Sequence, residues 1–190
     1  MTDIATGPQP SLGKQEGLVL LPHSNFPHPD IRIAVDVSIE QESIALRYQV
    51  SGAVDEVLLP PPVSPARADK LWERTCFEAF IRPCDGDEYL EFNFAPSRLW
   101  AMYRFDRYRE NMRAVTDIAV PRIGSAVRAD FYELHPMIYP RIGLADCGLS
   151  AVIEAKDGTK SYWALAHPPG KPDFHNRDCF TARLAAPTRP

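Results

Sequence analysis

Apolar and polar residues alternate with a period of two along much of the chain. Ile31, Ile33, Val35, Val37 and Ile39 are interleaved with Arg32, Ala34, Asp36, Ser38 and Glu40, the pattern of a strand with one face in a core. After a polar link at Gln41-Glu42, Ile44, Leu46, Tyr48 and Val50 repeat it, and the pair predicts a hairpin. Leu18–Leu21 predicts a short edge strand ahead of them. From Thr75 to Arg82 both faces are largely apolar: Phe77, Ala79 and Ile81 point one way, and Cys76, Glu78 and Phe80 the other. A turn at Asp85-Gly86 leads to a strand over 89–95, with Leu90, Phe92 and Phe94 opposite Tyr89, Glu91 and Asn93. Beyond the tight link Pro96-Ser97-Arg98, Leu99, Ala101, Tyr103 and Phe105 alternate with Trp100, Met102 and Arg104.

The pattern weakens after Arg109. It predicts strands over 115–120 and 127–134 and a loop over 135–148. A hairpin of 149–156 with 160–167 turns at Asp157-Gly158, and 180–184 is a closing strand. No segment of twelve or more residues carries the ~3.6-residue period of an amphipathic helix. Many short strands separated by turn signals predict an all-β sandwich.

Composition sharpens this picture. Prolines number 19 in 190 residues, about twice the usual ~5%, and cluster at 60–65 and 168–172. Proline is excluded from sheet interiors, so the elements are short and the connections many. The length fits one domain: a flexible amino-terminal tail over 1–16, then a single domain over 17–185. The net charge of -4 and pI near 5.7 argue against a nucleic-acid partner. No apolar run approaches the ~20 residues that cross a bilayer, and the start lacks the pattern of a signal peptide. A cytoplasmic location is expected, with Cys76, Cys84, Cys147 and Cys179 as free, buried thiols.

Side chains with chemistry gather in two stretches. The first, 71–109, holds Trp72, Glu78, Asn93, Trp100, Arg104, Tyr108 and Arg109; the second, 161–178, holds Trp163, His167, Lys171, Asp173 and His175. Together they predict one face or rim of the sandwich that binds a ligand. A carboxylate inside an apolar strand is costly without a partner or a wet pocket. Glu78 therefore reads as an acceptor for a ligand, as half of a structural pair with an arginine such as Arg104, or as a residue on an outer face. Trp72 and Trp100 offer flat faces for stacking on sugars, bases or amines, against plain core packing. The proline-rich loop before Trp72 and its charged neighbours Lys70, Glu73 and Arg74 suit a sheet rim.

The arginines 104, 107, 109 and 113 suit a carboxylate or phosphate group on a ligand, against a solvated loop paired with Asp106 and Glu110. Three readings compete for the loop around 167–175. His167, Asp173 and His175 form a metal site, although their spacing matches no strong motif. Alternatively a His–Asp pair serves acid–base catalysis, although no nucleophile motif accompanies it. The third reading, a polar rim that bonds a ligand or shapes the loop, is preferred. No cofactor is expected, and the oligomeric state is left open.

At these residues the chain resembles the DOMON-like proteins, relatives of the family-9 carbohydrate-binding modules. The resemblance rests on LW-x5-E-x-F (Leu71, Trp72, Glu78, Phe80), on YLEFNFAPS, on W-A-x-Y-R-F-D-x-Y-R and on YWALAHPPGKPDFH, and spans about 30–184. It implies an immunoglobulin-like β-sandwich of two antiparallel sheets and a non-catalytic binding module. In the carbohydrate-binding relatives a Trp six positions before a strand Glu takes part in sugar binding, a spacing that Trp72 and Glu78 match. A second aromatic completes the clamp there, for which Trp100, Trp163 and Phe174 are candidates. The resemblance also implies an alternative, a haem-binding or redox module using Met102, Met112, His167 and His175. A structural or protein-interaction domain is a further alternative that the sequence leaves open.

Overall fold

The computed structural model describes residues 14–40, 43–140 and 143–184. Its strands are β1 (Lys14–Pro22), β2 (Ile31–Glu40), β3 (Ser43–Gly52), β4 (Cys76–Pro83), β5 (Tyr89–Phe94) and β6 (Trp100–Phe105). They continue with β7 (Arg113–Ala114), β8 (Arg122–Arg128), β9 (Phe131–Ile138), β10 (Ala145–Glu154), β11 (Lys160–Ala164) and β12 (Ala182–Leu184). Every strand pair is antiparallel, and the path runs β7-β6-β5-β4-β10-β11-β1-β2-β3-β9-β8, with β12 on β10.

The expected two sheets are thus one continuous sheet folded over on itself. β1 is the shared strand: Leu18–Leu20 pair with Val35–Ile33, while Leu21 and Pro22 pair with Ala164 and Trp163. β1 begins at Lys14, inside the segment read as a tail; residues 1–13 and the Gln41-Glu42 link lie outside the described residues.

Alternation explains which side chains meet. Ile33, Val35, Val37, Leu46, Tyr48 and Val50 point inward from β2 and β3 and pack against Phe77, Ala79, Ile81, Phe92, Phe94 and Ile153 from the opposite layer. Phe77 lies at the centre: its ring is 5.2 Å from that of Tyr48 and stacks on Tyr132 at 5.9 Å. The Tyr48 hydroxyl donates to the main-chain carbonyl of Glu78 at 2.7 Å, tying β3 to β4 across the core.

The weakly patterned region differs from expectation. Residues 115–120 form no strand, and 127–134 straddle the turn between β8 and β9. The predicted loop over 135–148 contains the end of β9 and the start of β10. Pro136 disguises β9. The β3–β9 register passes from Ala45↔Met137 to Tyr48↔Leu134 with no partners between, as a residue without an N–H requires. Among the cysteines, Cys84 is exposed rather than buried.

Removing the Phe77 ring leaves a cavity at the meeting of the two layers, so Phe77→Ala is expected to cost ~3–5 kcal/mol. Tyr48→Phe removes one buried hydrogen bond and costs about 1 kcal/mol. Chemical denaturation of both variants checks the ranking.

Candidate functional site

The layer containing β4, β5, β6 and β10 is buried on both faces. Its outer face carries Cys76, Glu78 and Phe80 from β4, Tyr89, Glu91 and Asn93 from β5, and Ala101, Tyr103 and Phe105 from β6. Two loops cover it from opposite sides. The proline-rich segment is pinned to β6, where Ala68 N donates to the Trp100 carbonyl, Trp100 N donates to the Ala66 carbonyl and the Tyr103 hydroxyl donates to Asp69 at 2.6 Å. Lys70, at φ 61, then turns the chain into a short 3-10 turn, Leu71–Glu73. This lays Leu71 on the outer face and leaves Trp72 half-buried, edge-on to Tyr103 at 5.8 Å.

The second cover is the segment after β11. Phe180 packs against Phe80 and Tyr89, and His175 lies edge-on to Phe80 and Phe105 at 5.1 and 5.0 Å. Gly148 of β10 permits this approach, because a Cβ there would stand 3.2 Å from the Cys179 carbonyl.

Between the covers lies a cleft of about 530 Å³. Its floor is Glu78 and Phe80 of β4, Glu91 of β5, Phe105 of β6 and Val152 of β10; Lys160 and Tyr162 of β11 form one side. Trp72, Glu73, Arg109, Met112, Pro172, Phe174 and His175 complete the rim.

The floor is polar in a particular way. Glu78 and Glu91 are 3% and 4% exposed and lie on neighbouring strands one step apart in register, Glu78 opposite Asn93 and Glu91 opposite Phe80. Ser150 Oγ donates to Glu78 Oε2 at 2.9 Å, and Asn93 Nδ2 donates to Glu91 Oε1 at 2.6 Å. Burial raises the pKa of Glu78, and the Glu91 charge raises it further; burial likewise raises that of Glu91, against the Asn93 bond and the Arg109 charge.

A hydrogen-bond chain fixes His175. Arg109 N donates to the Tyr89 hydroxyl at 3.2 Å, and that hydroxyl is hydrogen-bonded to His175 Nδ1 at 2.7 Å. His175 Nε2 stands 3.7 Å from Glu91 Oε2. Burial, with the Arg109 charge behind it, lowers the His175 pKa to about 4, so the imidazole is neutral at neutral pH and the contact with Glu91 is no ion pair there. Arg109, at φ 55, is itself held by Asp173, through Nη2 at 2.7 Å and Nε at 3.2 Å, and Tyr108 donates to the same carboxylate at 2.5 Å.

Of the twelve predicted residues, Trp72, Glu78, Arg109 and His175 meet at this cleft. Asn93, Tyr108 and Asp173 support it from behind through the bonds just described. The others lie elsewhere. Trp100 and Trp163 point into the core between the layers, because each occupies the inward phase of its strand, and the Trp163 indole donates to Ser161 Oγ. Arg104 lies on the face away from the cleft, beside Glu88 and Asp117 at 3.6 and 3.4 Å. Lys171 is exposed outside the lining, and His167 Nε2 meets the Leu21 carbonyl at 2.8 Å.

His167, Asp173 and His175 each bond a different partner, and no group of three or more metal-ligating side chains occurs among the described residues. Met102 is sealed in the inner core, on the opposite face of the sheet from His175. Missed by the sequence reading were Glu91, Phe105, Lys160 and Tyr162. Glu91 shares the outward phase of YLEFNF with Tyr89 and Asn93, a second carboxylate in an apolar strand, which was the available signal.

No family model and no curated protein matches the sequence. Among solved structures, the fold is similar to that of a candidate carbohydrate-binding protein from Bacteroides uniformis, with 16% identity, a TM-score of 0.63 and coverage of 91% of this chain and 85% of that one. Two structures of a family-9 carbohydrate-binding module from Caldicellulosiruptor kristjanssonii also align at 10% identity. The glucose complex has a TM-score of 0.45, covering 76% and 71% of the two chains, and the cellotriose complex 0.47, covering 82% and 74%. The shared feature is the all-β antiparallel fold.

The raised carboxyl pKa has a consequence for stability. A carboxyl that titrates higher in the folded chain contributes stability below its unfolded value and loses it as pH rises through the folded one, here from 4.5 to about 8 for Glu78. His175 has the opposite slope, gaining stability from about 4 to 6.5. Glu91, raised to about 7, adds a second falling slope, so the offset at acidic pH is partial, and from near 6.5 to about 8 the loss is unopposed by His175. Unfolding free energy is expected to fall by roughly 1–3 kcal/mol across that window. Glu78→Gln flattens the profile, whereas parallel profiles for variant and parent would show that Glu78 ionises freely in the folded chain.

Proposed function

We propose that the cleft is the binding site for a carbohydrate or sugar-derived small molecule, and that the chain is a non-catalytic, DOMON-like binding module. One observation carries this reading: the half-buried indole of Trp72 and the buried carboxyls of Glu78 and Glu91 line one open concavity. A sugar ring offers an apolar C–H face, which an aromatic ring covers, and a belt of hydroxyl donors, which carboxylates accept. Trp72, Tyr162 and Phe105 supply the first kind of surface, Glu78 and Glu91 the second.

The absence of catalysis in this reading rests on where the carboxyls lie. Glycoside hydrolysis uses two carboxyl groups on either side of the scissile bond. Glu78 and Glu91 lie side by side on the floor of one sheet, an arrangement for accepting hydroxyls rather than for attack from opposite faces. His175 is committed to Tyr89, and no serine, threonine or cysteine is among the lining residues.

Calorimetric titration of the intact chain with neutral mono- and oligosaccharides tests the reading, with Trp72 fluorescence as a second probe. Trp72→Ala is expected to weaken binding about ten-fold or more with little change in melting temperature. Silence of the parent protein toward every sugar, or unchanged affinity in the variant, would overturn it.

A further inference from the structure

The charges at the floor define the ligand more closely. Glu78 and Glu91 are both buried, and their bonded partners on the sheet, Ser150 and Asn93, are neutral. Among the described residues, Glu78 Oε1 accepts no hydrogen bond, and Glu91 Oε2 has only the His175 nitrogen, at 3.7 Å. Cations are present in the lining, and the Arg109 charge acts on both carboxyls, but none makes an ion pair or hydrogen bond with either carboxyl among the described residues. Arg109 gives Nε and Nη2 to Asp173. Lys160 makes no ion pair among the described residues and is on β11, where it pairs with Glu154 of β10 across the ladder. Glu73 adds a third carboxylate at the rim.

Two adjacent carboxyls removed from water call for a positive charge or a proton. A proton held by Glu78 meets this need in the free cleft at neutral pH; a cationic ligand can displace that proton and take its place, whereas a sugar hydroxyl carries no charge with which to do so. An ammonium group brings one charge and three donors, enough to bridge both open carboxylate oxygens. The walls suit the same group, since Trp72, Phe105 and Tyr162 line the cleft and aromatic rings attract cations.

Resting on the carbohydrate reading of this cleft, we propose that the ligand is an amino sugar whose protonated amine bridges Glu78 and Glu91 between the aromatic walls. The free carboxyl oxygens are then the specificity-determining atoms of the site. Of the arginine run only Arg109 lines the cleft, and it is paired with Asp173, while Arg104 and Arg113 pair with acids outside it.

Calorimetry of the intact chain at one pH with glucosamine, glucose, N-acetylglucosamine and tetramethylammonium separates the outcomes. Glucosamine is expected to bind about ten-fold or more tightly than either other sugar, and Glu78→Gln, checked for folding by its melting profile, brings that ratio close to unity. Glucose or N-acetylglucosamine binding as tightly as glucosamine to the parent protein would overturn the amine assignment and leave the carbohydrate reading standing. Binding of tetramethylammonium without any sugar would retain the recognition of a cation and overturn the carbohydrate reading. If none of the four binds, the amine assignment fails, and the oligosaccharide titrations above decide the carbohydrate reading.

Discussion

A sheet layer that is apolar on both faces has to be covered twice. The layer of β4, β5, β6 and β10 packs one face against β2 and β3, and that packing is complete. The second face is covered by two irregular segments, 66–73 and 172–180, which approach from opposite sides and do not meet. The cleft is the gap they leave. Its polar floor follows from the same constraint, because a carboxyl can remain in a doubly covered face only where the second cover is interrupted. Glu78 and Glu91 mark that interruption, and the bonds from Ser150 and Asn93 hold them to the sheet.

Much of the fold was legible because alternation reports a half-buried strand directly. β2 and β3 follow it residue for residue, and β4, β5, β6, β10 and β11 were placed to within a few positions. What alternation could not report was an element whose backbone bonding is interrupted. β9 contains Pro136, and the sequence there looks like a loop although Phe131–Leu134 and Met137 pair on both sides. Nor does a period of two say whether two layers are separate sheets. That is decided by β1, where the transfer from β2 to β11 occurs within neighbouring residues.

The site was legible only where chemistry and burial disagreed. Glu78 stood out because a carboxylate interrupted an apolar run, and Trp72 because charge surrounded it. Trp100 and Trp163 were indistinguishable by type from Trp72, but their phase within the strand sends them to the inner core. The arginines misled for a different reason. A run of like side chains in sequence scatters in space around the turn after β6, and three of the four find a nearby acid: Glu88 and Asp117 for Arg104, Asp106 for Arg113, Asp173 for Arg109. Net charge near neutrality makes such local cancellation the ordinary outcome.

The folded-over sheet does not close into a barrel, and its path ends at β7 and β8. β7 is only two residues long and offers little to an incoming strand. β8 is longer, lies at the margin of its layer and carries Arg122 and Arg128 at its two ends, both exposed. Strand addition by another copy of the chain would bring these like charges near one another along a free backbone edge. The arginines at the margin therefore oppose ribbon-like strand addition electrostatically, an effect separate from anything the cleft does.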